Sequence, residues 1–127
     1  MELSQLEEAL KKSWCKETSS DAQNWTPENP AWGQCAVTSL LVNDYFGGKI
    51  VWAEATLPDG RKISHYFNNY SSFEADLTRQ QFPSGTIIPK GIQKTKGFST
   101  TREYILSYEQ TKERYELLKK KVQELIS

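Results

Sequence analysis

Asn29-Pro30-Ala31-Trp32-Gly33-Gln34-Cys35-Ala36-Val37-Thr38-Ser39-Leu40-Leu41-Val42-Asn43-Asp44-Tyr45-Phe46-Gly47-Gly48 is the stretch on whose reading the fold turns. Pro30 and Gly33 break regular structure, whereas Ala36 to Phe46 is helix-compatible and nearly unbroken in apolar character. Such a helix is buried on most sides rather than along one stripe. Gly47 and Gly48 supply a left-handed stop. Cys35 therefore stands in the first turn of a core helix, where the helix dipole and free backbone N–H groups favour a thiolate. Two readings of it stand side by side: a catalytic nucleophile, or a buried structural cysteine.

Downstream of the glycines the period changes from helical to two. Residues 49–55 read as a strand, and Leu57-Pro58-Asp59-Gly60 as a turn. Residues 61–68 form a second strand with Ile63, His65 and Phe67 on one face and Lys62, Ser64 and Tyr66 on the other. After a turn at 69–72, residues 73–78 make a third strand that carries Asp76. A three-stranded meander thus follows the cysteine helix. Pro83, Gly85, Pro89, Gly91 and Gly97 punctuate the next segment, with 86–88 and 92–94 as short edge strands.

Upstream, Leu3, Leu6, Leu10 and Trp14 recur at helical spacing and predict an amphipathic helix over 2–14. Residues 16–33, rich in Ser, Thr, Asn, Asp and Pro, form a long loop in which Trp25 and Trp32 either anchor the loop or line a cleft beside Cys35. At the other end, Ser107 and Gln110 read as a capping box opening a helix that runs to the C-terminus. Its stripe of Thr111, Tyr115, Leu118, Val122 and Leu125 is a core-facing seam, with a homodimer through it as the alternative.

The chain has 127 residues, which fits a single domain with a real core. Sixteen basic residues balance sixteen acidic ones, which argues against nucleic acid or an anionic membrane as the main partner. No apolar run approaches a transmembrane length, and the acidic, amphipathic N-terminus is unlike a signal peptide. Two cysteines, Cys15 and Cys35, make no disulfide framework, so the expectation is a cytoplasmic protein with both thiols reduced, a monomer or a weak homodimer. One histidine and two scattered cysteines lack the spacing of a zinc site, and there is no glycine-rich phosphate loop, so no metal or cofactor is expected.

The only histidine, His65, lies on the hairpin after the cysteine helix. A thiol nucleophile needs a base to hold it as thiolate, and the imidazole in turn needs an acceptor that fixes its tautomer. Cys35, His65 and Asp76 supply those parts. A hairpin centred between Tyr70 and Ser71 sets His65 opposite Asp76, while matching apolar faces pairs Phe67 with Ala75 and slides His65 toward Leu77. Asn68 projects from the opposite face and is a poor orienter, available to act elsewhere. Gln34, or the backbone N–H of Cys35, is the oxyanion donor of such a site. The plainer role for Gln34 is to cap the helix or bind the loop.

The residues 29–39 with Asp44-Tyr45-Phe46-Gly47-Gly48 resemble the YunG-like proteins of bacteria. So do His65-Tyr66-Phe67-Asn68, Asp76-Leu77-Thr78-Arg79 with Gln81-Phe82, and Arg114-Tyr115-Glu116-Leu117-Leu118. Two departures are Phe67, where tryptophan is expected, and a longer polar link between Val51 and His65. The resemblance implies a small α+β domain similar to papain-like and transglutaminase-like cysteine enzymes. It would have a central buried helix on a small antiparallel sheet, flanked by terminal helices. Function divides three ways. In a thiol enzyme, Cys35, His65, Asp76 and Gln34 act on a small amide or peptide-like substrate. In a binding module, Trp25, Trp32 and Asn68 line the cleft. A structural domain would use its last helix.

Overall fold

The computed structural model describes residues 1–126, and Ser127, at the end of the expected last helix, lies outside them. Among the described residues the chain is a mixed α+β domain of four α-helices and one three-stranded antiparallel sheet. The helices are α1 (Leu3–Ser13), α2 (Cys35–Phe46), α3 (Thr101–Leu106) and α4 (Glu109–Ile126). The strands are β1 (Lys49–Thr56), β2 (Lys62–Asn69) and β3 (Glu74–Ala75), in the order β1-β2-β3. None of these helices is long and apolar enough to cross a membrane.

Helix α2 is the core. Val37, Thr38, Ser39, Leu40, Leu41 and Val42 are all buried, an unbroken run that only a helix covered on several sides produces. Around it pack Leu6 and Leu10 from α1, Trp14 just after α1, Ile105 from α3, and Tyr115, Leu118 and Val122 from α4. Each fully buried leucine contributes about 2 kcal/mol of hydrophobic stabilisation. Trp14 also donates its indole N–H to Thr38 Oγ1 at 2.9 Å, which joins α1 to the cysteine helix. The seam of α4 is thus filled by the chain's own core, and Leu125 leaves it, 52% exposed.

β1 and β2 pair along their whole length, Lys49 with Asn69 through Thr56 with Lys62. Partners in an antiparallel pair share a face, so Val51, Ala53, Ala55, Ile63, His65 and Phe67 lie on one side. Ile50, Trp52, Tyr66 and Asn68 lie on the other, and this is the side on which Asn68 Nδ2 bonds the Ser39 carbonyl of α2 at 3.0 Å. The two edges differ. The free edge of β1 is covered by bridges to Ile87 and Ile92, which replace the expected edge strands at 86–88 and 92–94. β2 meets β3 only at Asn68–Ala75 and Asn69–Glu74.

Two further expectations are corrected. The third strand is two residues long, because Asp76 turns away into the 3₁₀ turn Arg79–Gln81. The last helix does not begin at Ser107: α3 precedes it, capped by Thr100, whose hydroxyl accepts from the Glu103 N–H at 3.1 Å. Ser107 donates to the Tyr104 carbonyl at 2.6 Å and so belongs to the end of α3 rather than the start of α4.

Candidate active site

The approach to Cys35 is built by the loop before it. Gly33 has φ +75, and a Cβ there would stand 2.2 Å from Ser19 Oγ, so both the backbone conformation and the space demand glycine. Its N–H donates to Gln81 Oε1 at 3.1 Å, and Asn29 Nδ2 donates to the Gln81 carbonyl at 2.9 Å. The chain is thereby stitched to the segment that follows Asp76. Gln34 has a role other than the expected oxyanion donor. Fully buried, it donates Nε2 to the Cys15 carbonyl at 2.9 Å and accepts from Thr18 Oγ1 at 2.8 Å. It braces the loop to the end of α1.

Because Gln34 turns back to the loop, α2 starts with no side-chain cap. The first turn of a helix has N–H groups without intrahelical partners, and the first intrahelical bond of α2 is Thr38 N–H to the Gln34 carbonyl at 2.9 Å. The N–H of Cys35 is therefore a backbone donor without an intrahelical partner, with the positive end of the helix dipole behind it. Cys35 itself is partly exposed and forms no disulfide. Cys15, likewise free and partly exposed, offers its carbonyl to Gln34 and is linked to the site only through that brace.

His65 is fully buried in β2. Its ring stacks on Phe67 with centroids 5.4 Å apart and meets the edge of Phe82 at 5.0 Å. Nε2 lies 2.7 Å from Asp76 Oδ2. The contact arises differently from either expected register. The β2–β3 pairing extrapolates to put Thr78 opposite His65. Asp76 nevertheless reaches the ring because the strand ends before it and the chain turns inward. Nδ1 has no hydrogen-bond partner of standard geometry among the described residues. Asp76 thus holds the proton on Nε2 and leaves Nδ1 as the basic nitrogen.

Burial alone would lower the pKa of His65, but the hydrogen bond to Asp76 and the nearby Cys35 sulfur raise it to about 9. Tyr66, next in the strand, has its phenol pushed up by burial first, and then by the charges of Tyr104, Cys35 and Tyr108. His65 and Tyr66 point to opposite faces of the sheet, yet both sense Cys35.

The tryptophans separate. Trp32 packs edge-on against Phe82 at 6.5 Å, one ring removed from His65, and donates its N–H to Asp21 Oδ2 at 2.9 Å. It belongs to the wall of the site. Trp25 donates to the Pro30 carbonyl at 2.9 Å and anchors its own loop. Asn68, 2% exposed, is bonded to Ser39 and positions α2 instead of facing a ligand. Phe67 and Phe82, which clasp the histidine ring, are missing from the expected set. The two-residue spacing of Phe67 from His65 was the available signal for one of them. Among the described residues no three His, Cys, Asp or Glu side chains gather as metal ligands.

A family model described as YunG protein matches residues 2–127. The chain belongs to the YunG family. Within that family it is similar to the uncharacterized protein YunG of Bacillus subtilis (strain 168), with 37% identity over 73 residues. That match covers 58% of this chain and 56% of the relative, so it spans little more than half of either protein. No solved structure matches this YunG-family chain.

Proposed function

We propose that this YunG-family domain is a cysteine acyltransferase or amide hydrolase of papain-like arrangement, working on a small amide or peptide-like substrate. The single observation that supports the reading is the 2.7 Å contact of His65 Nε2 with Asp76, which leaves Nδ1 as the basic nitrogen for the thiol. Cys35 is the nucleophile, His65 the base and acid, and Asp76 the orienting acceptor. The Cys35 thiolate attacks the substrate carbonyl carbon, forming an S–C bond as the C=O pair moves to oxygen. The Cys35 N–H receives that oxyanion. The carbonyl then re-forms, the C–N bond breaks, and the His65 imidazolium gives its proton to the departing amine. Water or another nucleophile, deprotonated by His65, attacks the thioester and releases the thiolate.

Such chemistry suits a cytoplasmic, reducing setting in which Cys35 stays free. Iodoacetamide capture of Cys35 at pH 7 tests the reading. The expected result is fast labelling that slows about 100-fold in His65→Ala, the upper part of the range for general acid–base assistance being about 10⁴-fold. Equal rates in the two proteins overturn it. A second reading, a non-catalytic binding module, has one observation in its favour: Trp32 and Phe82 form an aromatic wall beside His65.

A further inference from the structure

The sheet has one closed edge and one open edge, and the open one belongs to the strand that carries His65. In an antiparallel ladder the N–H and C=O of a residue point to the same side, and successive residues alternate sides. Trp52 N–H donates outward to the Ile92 carbonyl at 2.7 Å and Thr56 N–H outward to the Ile87 carbonyl at 2.9 Å. Their partners across the ladder, Tyr66 and Lys62, therefore direct their own backbone groups away from β1, as do Ser64 and Asn68 between and beyond them. Asn68 meets Ala75 of β3. Ser64 and Tyr66 meet no backbone or side-chain partner among the described residues. Ser64 is exposed and Tyr66 half-buried.

These free groups flank the proposed base, whose own N–H and C=O face β1. The same strand is tied to the helix that carries Cys35. Asn68 holds the Ser39 carbonyl at 3.0 Å, and Cys35 is one helical turn, about 6 Å, from Ser39 along α2. Two to three residues of strand back from Asn68 cover about 7–10 Å and reach Tyr66 and His65. Two donors and two acceptors repeated every second residue, about 7 Å apart, match the backbone of an extended peptide. An isolated amide engages only one end of such a ladder.

We infer that the substrate of Cys35 is an extended peptide segment that adds to the open edge of β2 by backbone hydrogen bonds to Ser64 and Tyr66. This rests on the thiol reading above and narrows it from amides in general to peptides of several residues. The occupant continues the sheet where β3 stops, and its alternate side chains face the His65 and Tyr66 sides in turn.

The test measures capture of Cys35 in the full chain by chloromethyl ketones bearing one or four amino-acid residues, with iodoacetamide as the reference. The four-residue reagent should react at least about tenfold faster than the one-residue reagent, as two to three neutral hydrogen bonds at about 0.5–1.5 kcal/mol each allow. N-methylation of alternate amides should cancel that gain, and this arm uses the unaltered protein. Ser64→Pro removes one outward N–H without touching the ladder to β1, a placement edge strands tolerate. It should cut the gain about threefold while iodoacetamide capture is unchanged. If neither length nor N-methylation alters capture while iodoacetamide labelling still depends on His65, the edge pairing is overturned and the thiol site stands. If iodoacetamide labelling does not depend on His65, both fall together.

Discussion

At its C-terminal end α2 is tied by many groups. Asn43 Nδ2 donates to the carbonyls of Gly47 and Gly48 at 3.2 and 3.0 Å. Arg102 of α3 donates to the Leu40 carbonyl at 3.2 Å and to Asn43 Oδ1 at 2.9 Å, and pairs with Asp44 at 2.7 Å. Tyr115 of α4 closes the network with a hydroxyl donated to Asp44. At its N-terminal end the same helix has no side-chain cap, and its first residue is a partly exposed cysteine. A helix fixed this firmly at one end can leave donors unpaired at the other without fraying, and those donors are where a developing negative charge is best received.

The sharpest way to separate the two ends is pH. The folded protein holds the His65 proton up to about pH 9, against 6.5 for an unperturbed imidazole. Burial opposes that rise, and Asp76 and Cys35 together outweigh it. Since the folded state binds the proton more tightly, this stabilisation is complete below pH 6.5 and is lost as pH rises through 9. At about 1.4 kcal/mol for each pH unit, the loss is about 3 kcal/mol. Urea denaturation across that window should show it, and Cys35→Ser should flatten the slope by removing one of the two groups that raise the pKa. The other end does not titrate there, because burial and Asp44 push the Tyr115 phenol up to about 12. A flat profile in the unaltered protein would erase the distinction.

Arg102→Ala should break the tied end, at a cost of about 2 kcal/mol, since it leaves Asp44 without its cation and the Leu40 carbonyl without its donor. The denaturation midpoint should fall while iodoacetamide capture of Cys35 changes less than about twofold, within the limits of independence for distant sites. Asp76→Asn probes the other end more gently. Asparagine still accepts from Nε2 but lacks the charge, so capture at pH 7 should slow about tenfold, the equivalent of one pH unit. A larger effect on stability than on capture would assign Asp76 to the fold instead.

Much of this was legible in the sequence. The bounds of α2, β1 and β2 follow from apolar periodicity and from Gly47–Gly48, and the His65–Asp76 contact follows from the chemistry of a scarce residue, a single histidine that needs an acceptor. The parts that were not legible share a physical cause. From sequence the meeting of His65 with Asp76 is a matter of strand register, but the contact depends on β3 ending early and the chain turning inward. Helix α3 is six residues long, too short for periodicity to announce, although Thr100 followed by Glu103 three residues on was a readable start. The tasks of Gln34 and Asn68 depend on partners at Cys15, Thr18 and Ser39, contacts that no local pattern encodes.

The tie at the end of α2 also sets a schedule. Cys35, His65 and Asp76 are all synthesised within the first 76 residues, but Arg102 and Tyr115, which hold the cysteine helix at Asp44, come later. Tyr115, Leu118 and Val122 also complete the core around α1 and α2. During translation the three residues are therefore made before Arg102 and Tyr115 can tie Asp44. A chain stalled before residue 100 therefore carries Cys35, His65 and Asp76 without the contacts that Arg102 and Tyr115 make to Asp44.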